Sequence, residues 1–162
     1  MSNSEQPANT APTLSLQKIY VKDISFENPN APAIFNEASG QPRIEMNLGI
    51  NTRALNEEHW EVTLKINVTT HDQESDRLMF EIEVEQAGIF YITNIPQEHM
   101  ATVLAVNCPT ILFPYTRQVM SQLTVDGGFL PFLMEPVNFQ ALYESSLQQA
   151  QAAESEEKHT LQ

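Results

Sequence analysis

At 162 residues the chain is long enough to bury one real core and too short for two domains. Its 21 acidic and 8 basic residues leave a net charge of −13, which argues against nucleic acid and against anionic membrane surfaces, since both need clustered Lys and Arg. Cys108 is the only cysteine, so no intrachain disulfide forms, and a reducing cytoplasm is the expected setting.

Residues 1–13 are rich in Ser, Asn, Thr, Ala and Pro and read as a disordered tail. They lack the basic start and apolar centre of a signal peptide. A first strand runs from Leu14 toward Phe26, and its broken alternation at Ile19, Val21 and Ile24 predicts a bulge or a long twisted strand. Two prolines in Asn28-Pro29-Asn30-Ala31-Pro32 then make a stiff turn, and residues 34–40 form a short connection. Ile44, Met46 and Leu48 alternate with polar residues as a second strand. After a turn at 55–58, Trp60, Val62, Leu64, Ile66 and Val68 alternate with Glu61, Thr63, Lys65 and Asn67 as a third. The polar turn 71–76 joins it to a fourth strand as a hairpin.

In that fourth strand Phe80, Ile82 and Val84 point one way and Glu81, Glu83 and Glu85 the other. Three glutamates about 7 Å apart along one strand face repel one another. The pattern fits either a solvated sheet face or a docking surface for a basic partner. The alternation stops at Ala87-Gly88, and the apolar run Ile89, Phe90, Tyr91, Ile92 and Ile95 leads to Pro96.

The second half carries helical spacing. A helix over 97–106 is predicted to stop at Cys108-Pro109, and another over 110–125 to kink or break at Pro114 and end at Asp126-Gly127-Gly128. An apolar loop spans 129–136, and a last helix spans 137–151 with Phe139, Leu142, Tyr143 and Leu147 on one stripe. Residues 152–162 read as an acidic disordered tail, leaving 14–151 as the domain. The expected fold class is therefore α+β: a four-stranded antiparallel sheet with C-terminal helices packed on one face. The strands offer more apolar surface than one small layer of helices buries, which predicts oligomerisation or an exposed apolar groove.

No catalytic constellation emerges. The five glycines do not fit a phosphate loop, and four scattered histidines with one cysteine do not make a metal site. Cys108 precedes a proline on an apolar stretch, where a buried, inert thiol is expected. Carboxylates at alternate positions of an open strand lack the facing walls of a glycosidase site. The chain is read as a non-enzyme with no cofactor and no metal, and no stretch is long enough to insert in a membrane.

Several stretches resemble the SecB family of bacterial protein-export chaperones. They are Ile19-Tyr20-Val21-Lys22-Asp23-Ile24-Ser25-Phe26-Glu27 with the following Asn28-Pro29-Asn30-Ala31-Pro32, then Gly88-Ile89-Phe90, then Cys108-Pro109-Thr110-Ile111-Leu112-Phe113-Pro114-Tyr115-Thr116-Arg117, and finally Pro136-Val137-Asn138-Phe139 with Ala141-Leu142-Tyr143. The resemblance implies a SecB-like fold assembled as a homotetramer, a dimer of dimers with helices between two eight-stranded sheets. It implies an ATP-independent chaperone that holds unfolded secretory precursors and delivers them to the SecA motor. Carried over residue by residue, it places SecA docking at Asp23, Glu27 and Glu83, with Glu81 added on the same face where a relative has an apolar residue. Client binding falls at Phe35 in the crossover loop, Phe90 and Ile92 in a loop after strand four, and Leu112 and Leu142 on the helices. Assembly falls at Phe80, Ile82, Val84 and Gln86. Family members carry a Trp in the crossover loop where this chain reads Glu37-Ala38-Ser39-Gly40, and Trp60 in strand three does not replace it. The alternative expectation is a SecB-like interaction module, or a toxin–antitoxin-associated chaperone, with one specific partner.

Overall fold

A computed structural model describes residues 8, 10–38 and 41–160. Most of the 1–13 tail and the Ser39-Gly40 part of the crossover loop therefore lie outside the described residues. Four antiparallel strands form one sheet: β1 (Thr13–Glu27), β2 (Pro42–Ala54), β3 (His59–Asp72) and β4 (Leu78–Thr93). Their order across the sheet is β1-β4-β3-β2. Consecutive hairpins join β2, β3 and β4, while β1 reaches the far edge through a crossover containing the short helix α1 (Ile34–Glu37). β1 shifts register against β4 twice, between Leu16 and Lys18 and between Val21 and Asp23, which accounts for its broken alternation.

The helices cover one face. Val62, Leu64, Ile66 and Val68 of β3 and Ile82 and Val84 of β4 are fully buried there, against Cys108, Leu112 and Met120. Burying such side chains contributes about 1.5–3 kcal/mol each. This inner face also holds all four residues assigned to assembly: Phe80, Ile82, Val84 and Gln86 are each at most 5% exposed. Within the single chain these positions pack in the core under the helices.

β4 is longer than the sequence pattern suggested. The alternation does not stop at Gly88, and the Gly88-Ile89-Phe90 stretch is strand, not loop. A Cβ at Gly88 would lie 2.9 Å from side-chain atoms of both Leu112 and Leu16. The missing side chain is the reason the pattern looked broken: it lets the helix layer approach the sheet.

Helix α2 (Gln97–Thr102) runs without interruption through a π-helical segment (Val103–Asn107) into α3 (Cys108–Asp126). The predicted stop at Cys108-Pro109 is thus absorbed by a wider turn upstream of the proline, where the i→i−4 ladder would have lost a donor. The Thr110 hydroxyl donates to the Val106 carbonyl at 2.6 Å and recovers one acceptor. Pro114 lies inside α3 without ending it. The stop at Gly127-Gly128 stands as read. Gly127 N–H donates to Leu123 O at 2.9 Å, and Gly128 adopts φ 88°, a left-handed conformation suited to glycine. Gly127 is required for another reason, since a Cβ there would lie 2.1 Å from the Phe26 ring.

Helix α4 (Phe139–Thr160) continues past Gln151 through the stretch expected to be disordered. Ala, Gln, Glu and Lys there are strong helix formers, and Lys158 and His159 in the last turn oppose the negative end of the helix dipole. Among the described residues no helix is long and apolar enough to cross a membrane.

Candidate functional site

The outer face of the sheet carries charge. Register sets Glu27 beside Glu81, Ser25 beside Glu83 and Asp23 beside Glu85. Asp23, Glu27, Glu81 and Glu83 therefore share one face of the β1–β4 pair, with Glu85 among them. Their mutual repulsion is offset from β3, where Lys65 Nζ lies 3.1 Å from Glu83 Oε1. The Glu83 carboxylate holds the Lys65 ammonium above its usual range by accepting its hydrogen bond and by its charge.

At the other end of this face a cluster joins three strands. Glu61 of β3 is 7% exposed, and its carboxylate accepts hydrogen bonds from the Tyr20 hydroxyl and, at 3.2 Å, from Lys22 Nζ. Arg53 of β2 lies 3.4 Å away. The Tyr20 bond leads in pulling Glu61 below the usual carboxylate range, with Lys22 and Arg53 assisting against its burial. Burial first, then Glu61, pushes the Tyr20 phenol up to about 12. Sequence reasoning missed this cluster. Glu61 looked like any polar position of a half-buried strand, and its partners lie 41, 39 and 8 positions away in the chain.

The inner face is covered only in part. Along the edge strand β2, Ile44 and Met46 are each 46% exposed, and Leu48 and Ile50 are half-buried. At the Ile44 end a cavity of about 470 Å³ opens between α1 and the 129–132 loop. Phe35 stands over it, 47% exposed and 5.2 Å from the Phe129 ring, which in turn lies 5.0 Å from Phe80. At the Ile50 end a second cavity, about 660 Å³, lies against α4, where Leu142 is 46% exposed. Together these make an apolar trough with Phe35 and Leu142 at its two ends. The β2 row between them was not singled out in the sequence, because its alternation looks like any covered strand until β2 is known to be an edge.

The remaining residues assigned to client binding lie elsewhere. Phe90 and Leu112 are fully buried and Ile92 is 4% exposed. The expected loop after strand four is strand, and its even positions face the helices, so within the single chain Phe90 and Ile92 pack inward in the same core as Leu112. On the opposite edge, Val21 and Ile24 of β1 are 40% and 45% exposed, and Ile24 lies next to Val119 and Leu123.

Comparison with known proteins shows the family and the fold. Residues 7–150 match the family model described as SecB, preprotein translocase subunit SecB. The chain is similar to the protein-export protein SecB of Desulfotalea psychrophila, 49% identical over 150 residues, covering 93% of this chain and 95% of that one. It is also similar to the protein of the same name from Magnetococcus marinus, 41% identical over 157 residues, covering 96% and 99%. Among solved structures, a Mycobacterium tuberculosis SecB-like chaperone in complex with an antitoxin peptide shares the fold, with a TM-score of 0.64 at 15% identity over 76% of this chain and 90% of that one. With an antiparallel sheet backed by long C-terminal helices and a family match over nearly its whole length, the chain belongs to the SecB family of protein-export chaperones, which act without catalysis.

Proposed function

We propose that this chain holds unfolded secretory precursors in the cytoplasm and hands them to SecA, working as a homotetramer built from two dimers. The observation that carries the reading is the two-sidedness of one sheet. The inner side offers an apolar trough between Phe35 and Leu142, while the outer side offers the carboxylates of Asp23, Glu27, Glu81 and Glu83. A client and a basic segment of the motor can therefore be held at once without competing. An apolar trough reads exposed hydrophobic chain without sequence specificity, and the acidic face favours a cationic partner and keeps the loaded particle soluble. The open β1 edge, with Val21 and Ile24 uncovered beside α3, supports pairing with a second copy.

The test is light scattering from a secretory precursor diluted out of denaturant, without nucleotide. The expected result is suppression of aggregation at near-stoichiometric chaperone, and no binding once the client has folded. Failure with several precursors would overturn the holdase reading in favour of one dedicated partner.

A further inference from the structure

We infer that Lys65 is a resident counter-ion of the acidic face, which a cationic partner must displace from Glu83 in order to dock, and that it thereby sets the affinity and salt dependence of docking. This rests on the motor-docking reading above and adds its regulation. Lys65 stands on the outer side of β3, directly opposite Glu85 of β4, with Glu83 two residues further along the same ladder opposite Asn67. Its ammonium leans toward Glu83, whose Oε1 lies 3.1 Å from Lys65 Nζ. Beyond that bond the charges of Glu85 and Asp23 also draw it. Two of these three carboxylates, Asp23 and Glu83, are ones that a docking cation needs. A guest Lys or Arg and Lys65 therefore compete for the same oxygens.

Among the described residues Lys22 and Arg53 are held by Glu61, and Arg43 by Glu45 and Asp76. Lys65 is the base paired with a carboxylate of the β1–β4 acidic set. Glu81, Glu83 and Glu85 follow one another along β4, with Glu27 and Asp23 beside them on β1, and such neighbours repel. One resident cation relieves that repulsion while the face is empty. Its release returns the full negative charge when a guest arrives.

The pair can exchange. The Lys65 and Glu83 side chains are 53% and 32% exposed, and an ion pair in contact with water is weak enough to be replaced. Lys65 also has somewhere to go. Its neighbour across the β2–β3 ladder is Gly49, where a Cβ would meet nothing within 4 Å. Asn47 and Asn51, which flank Gly49 on that face of β2, are exposed and uncharged. The lysine stem can turn over this bare stretch of backbone and leave Glu83 to the guest.

The experiment titrates the full-length protein with SecA by calorimetry at low and at high salt. Lys65→Met keeps an unbranched apolar stem and removes the charge. It should bind SecA about two- to fivefold more tightly at low salt, with the gain shrinking as salt rises. Lys65→Arg should return the affinity to the native value. Lys158→Met, the same charge change on the exposed end of α4, should bind as the native protein does. With Glu83→Gln in place the resident pair is gone, and adding Lys65→Met should then bring little further gain. Native affinity in Lys65→Met overturns the inference. So does weaker binding, which would make Lys65 a support that holds Glu83 in place. A gain that keeps its full size with Glu83→Gln, or that Lys158→Met or Lys65→Arg reproduces, also overturns it, because displacement from Glu83 would not be its source. If SecA does not bind the native protein at either salt, the docking reading itself falls and the role of Lys65 with it.

Discussion

The Thr116 hydroxyl donates to Gln86 Oε1 at 2.8 Å, with Thr116 fully buried and Gln86 4% exposed. This bond ties the middle of α3 to the inner face of β4, at the one polar position in an otherwise apolar row. Thr116→Val strands the Gln86 amide in the core, whereas in Gln86→Leu the Thr116 hydroxyl retains only the longer bond to the Leu112 carbonyl at 3.3 Å. Thr116→Val and Gln86→Leu should each cost about 1–3 kcal/mol in urea unfolding, and the double variant less than the sum of the two. Additive losses would mean that the bond does not couple the two elements.

Glu83 sits in the acidic face and pairs with Lys65. Glu83→Lys removes one carboxylate from the proposed docking surface and sets two ammonium groups together. Calorimetric titration with SecA should show binding weakened by about tenfold or more. Aggregation suppression should persist, because the trough lies on the opposite side of the sheet. A parallel loss of both activities would show that the two faces are not independent.

The Tyr20–Glu61 cluster makes stability depend on pH in both directions. Glu61 is held below its ordinary value of 4.5, so its contribution is present above that value and fades as the pH falls below it. Tyr20 is raised from 10.0 to about 12, so its contribution is complete below pH 10.0 and is lost as the pH climbs toward 12. Glu61→Gln should destabilise the fold by about 1–3 kcal/mol at neutral pH. The gap to the native protein should narrow in acid denaturation profiles; a gap that stays constant with pH would exclude ionised Glu61 as its source.

Cys108 is fully buried, and burial pushes its thiol up from 9.0 to about 12. The thiol should resist aromatic disulfide reagents at pH 8 and react only on unfolding. Cys108→Ala should leave aggregation suppression intact while costing about 1 kcal/mol for the small cavity. A folded but inactive variant would overturn the inert reading.

The strand order depends on pairings that no local stretch encodes. Alternation in 60–68 and 80–86 was legible because period two is a local property, and the acidic and apolar faces of β4 followed from it. The inward direction of Phe80, Ile82, Val84 and Gln86 was legible too, but not that Gln86 meets Thr116 of α3 or that Phe80 packs on Phe26 and Phe129. Gly88 shows why β4 was cut short: a glycine that admits a neighbouring helix and a glycine that ends a strand read alike until the neighbour is in place.

Composition, alternation and the SecB-like motifs by themselves determined a non-enzymatic α+β chaperone with an acidic strand face and a thiol buried out of reach. Those properties rest on residue type and on spacings within one element. The tertiary structure alone decided that β2 and β1 are edges, that the Ile44–Ile50 row stays partly uncovered, that Phe90 and Leu112 are core, and that Glu61 gathers Tyr20, Lys22 and Arg53. Each of these depends on which strand lies beside which, and that order is fixed by the packing of the whole chain, not by any single segment.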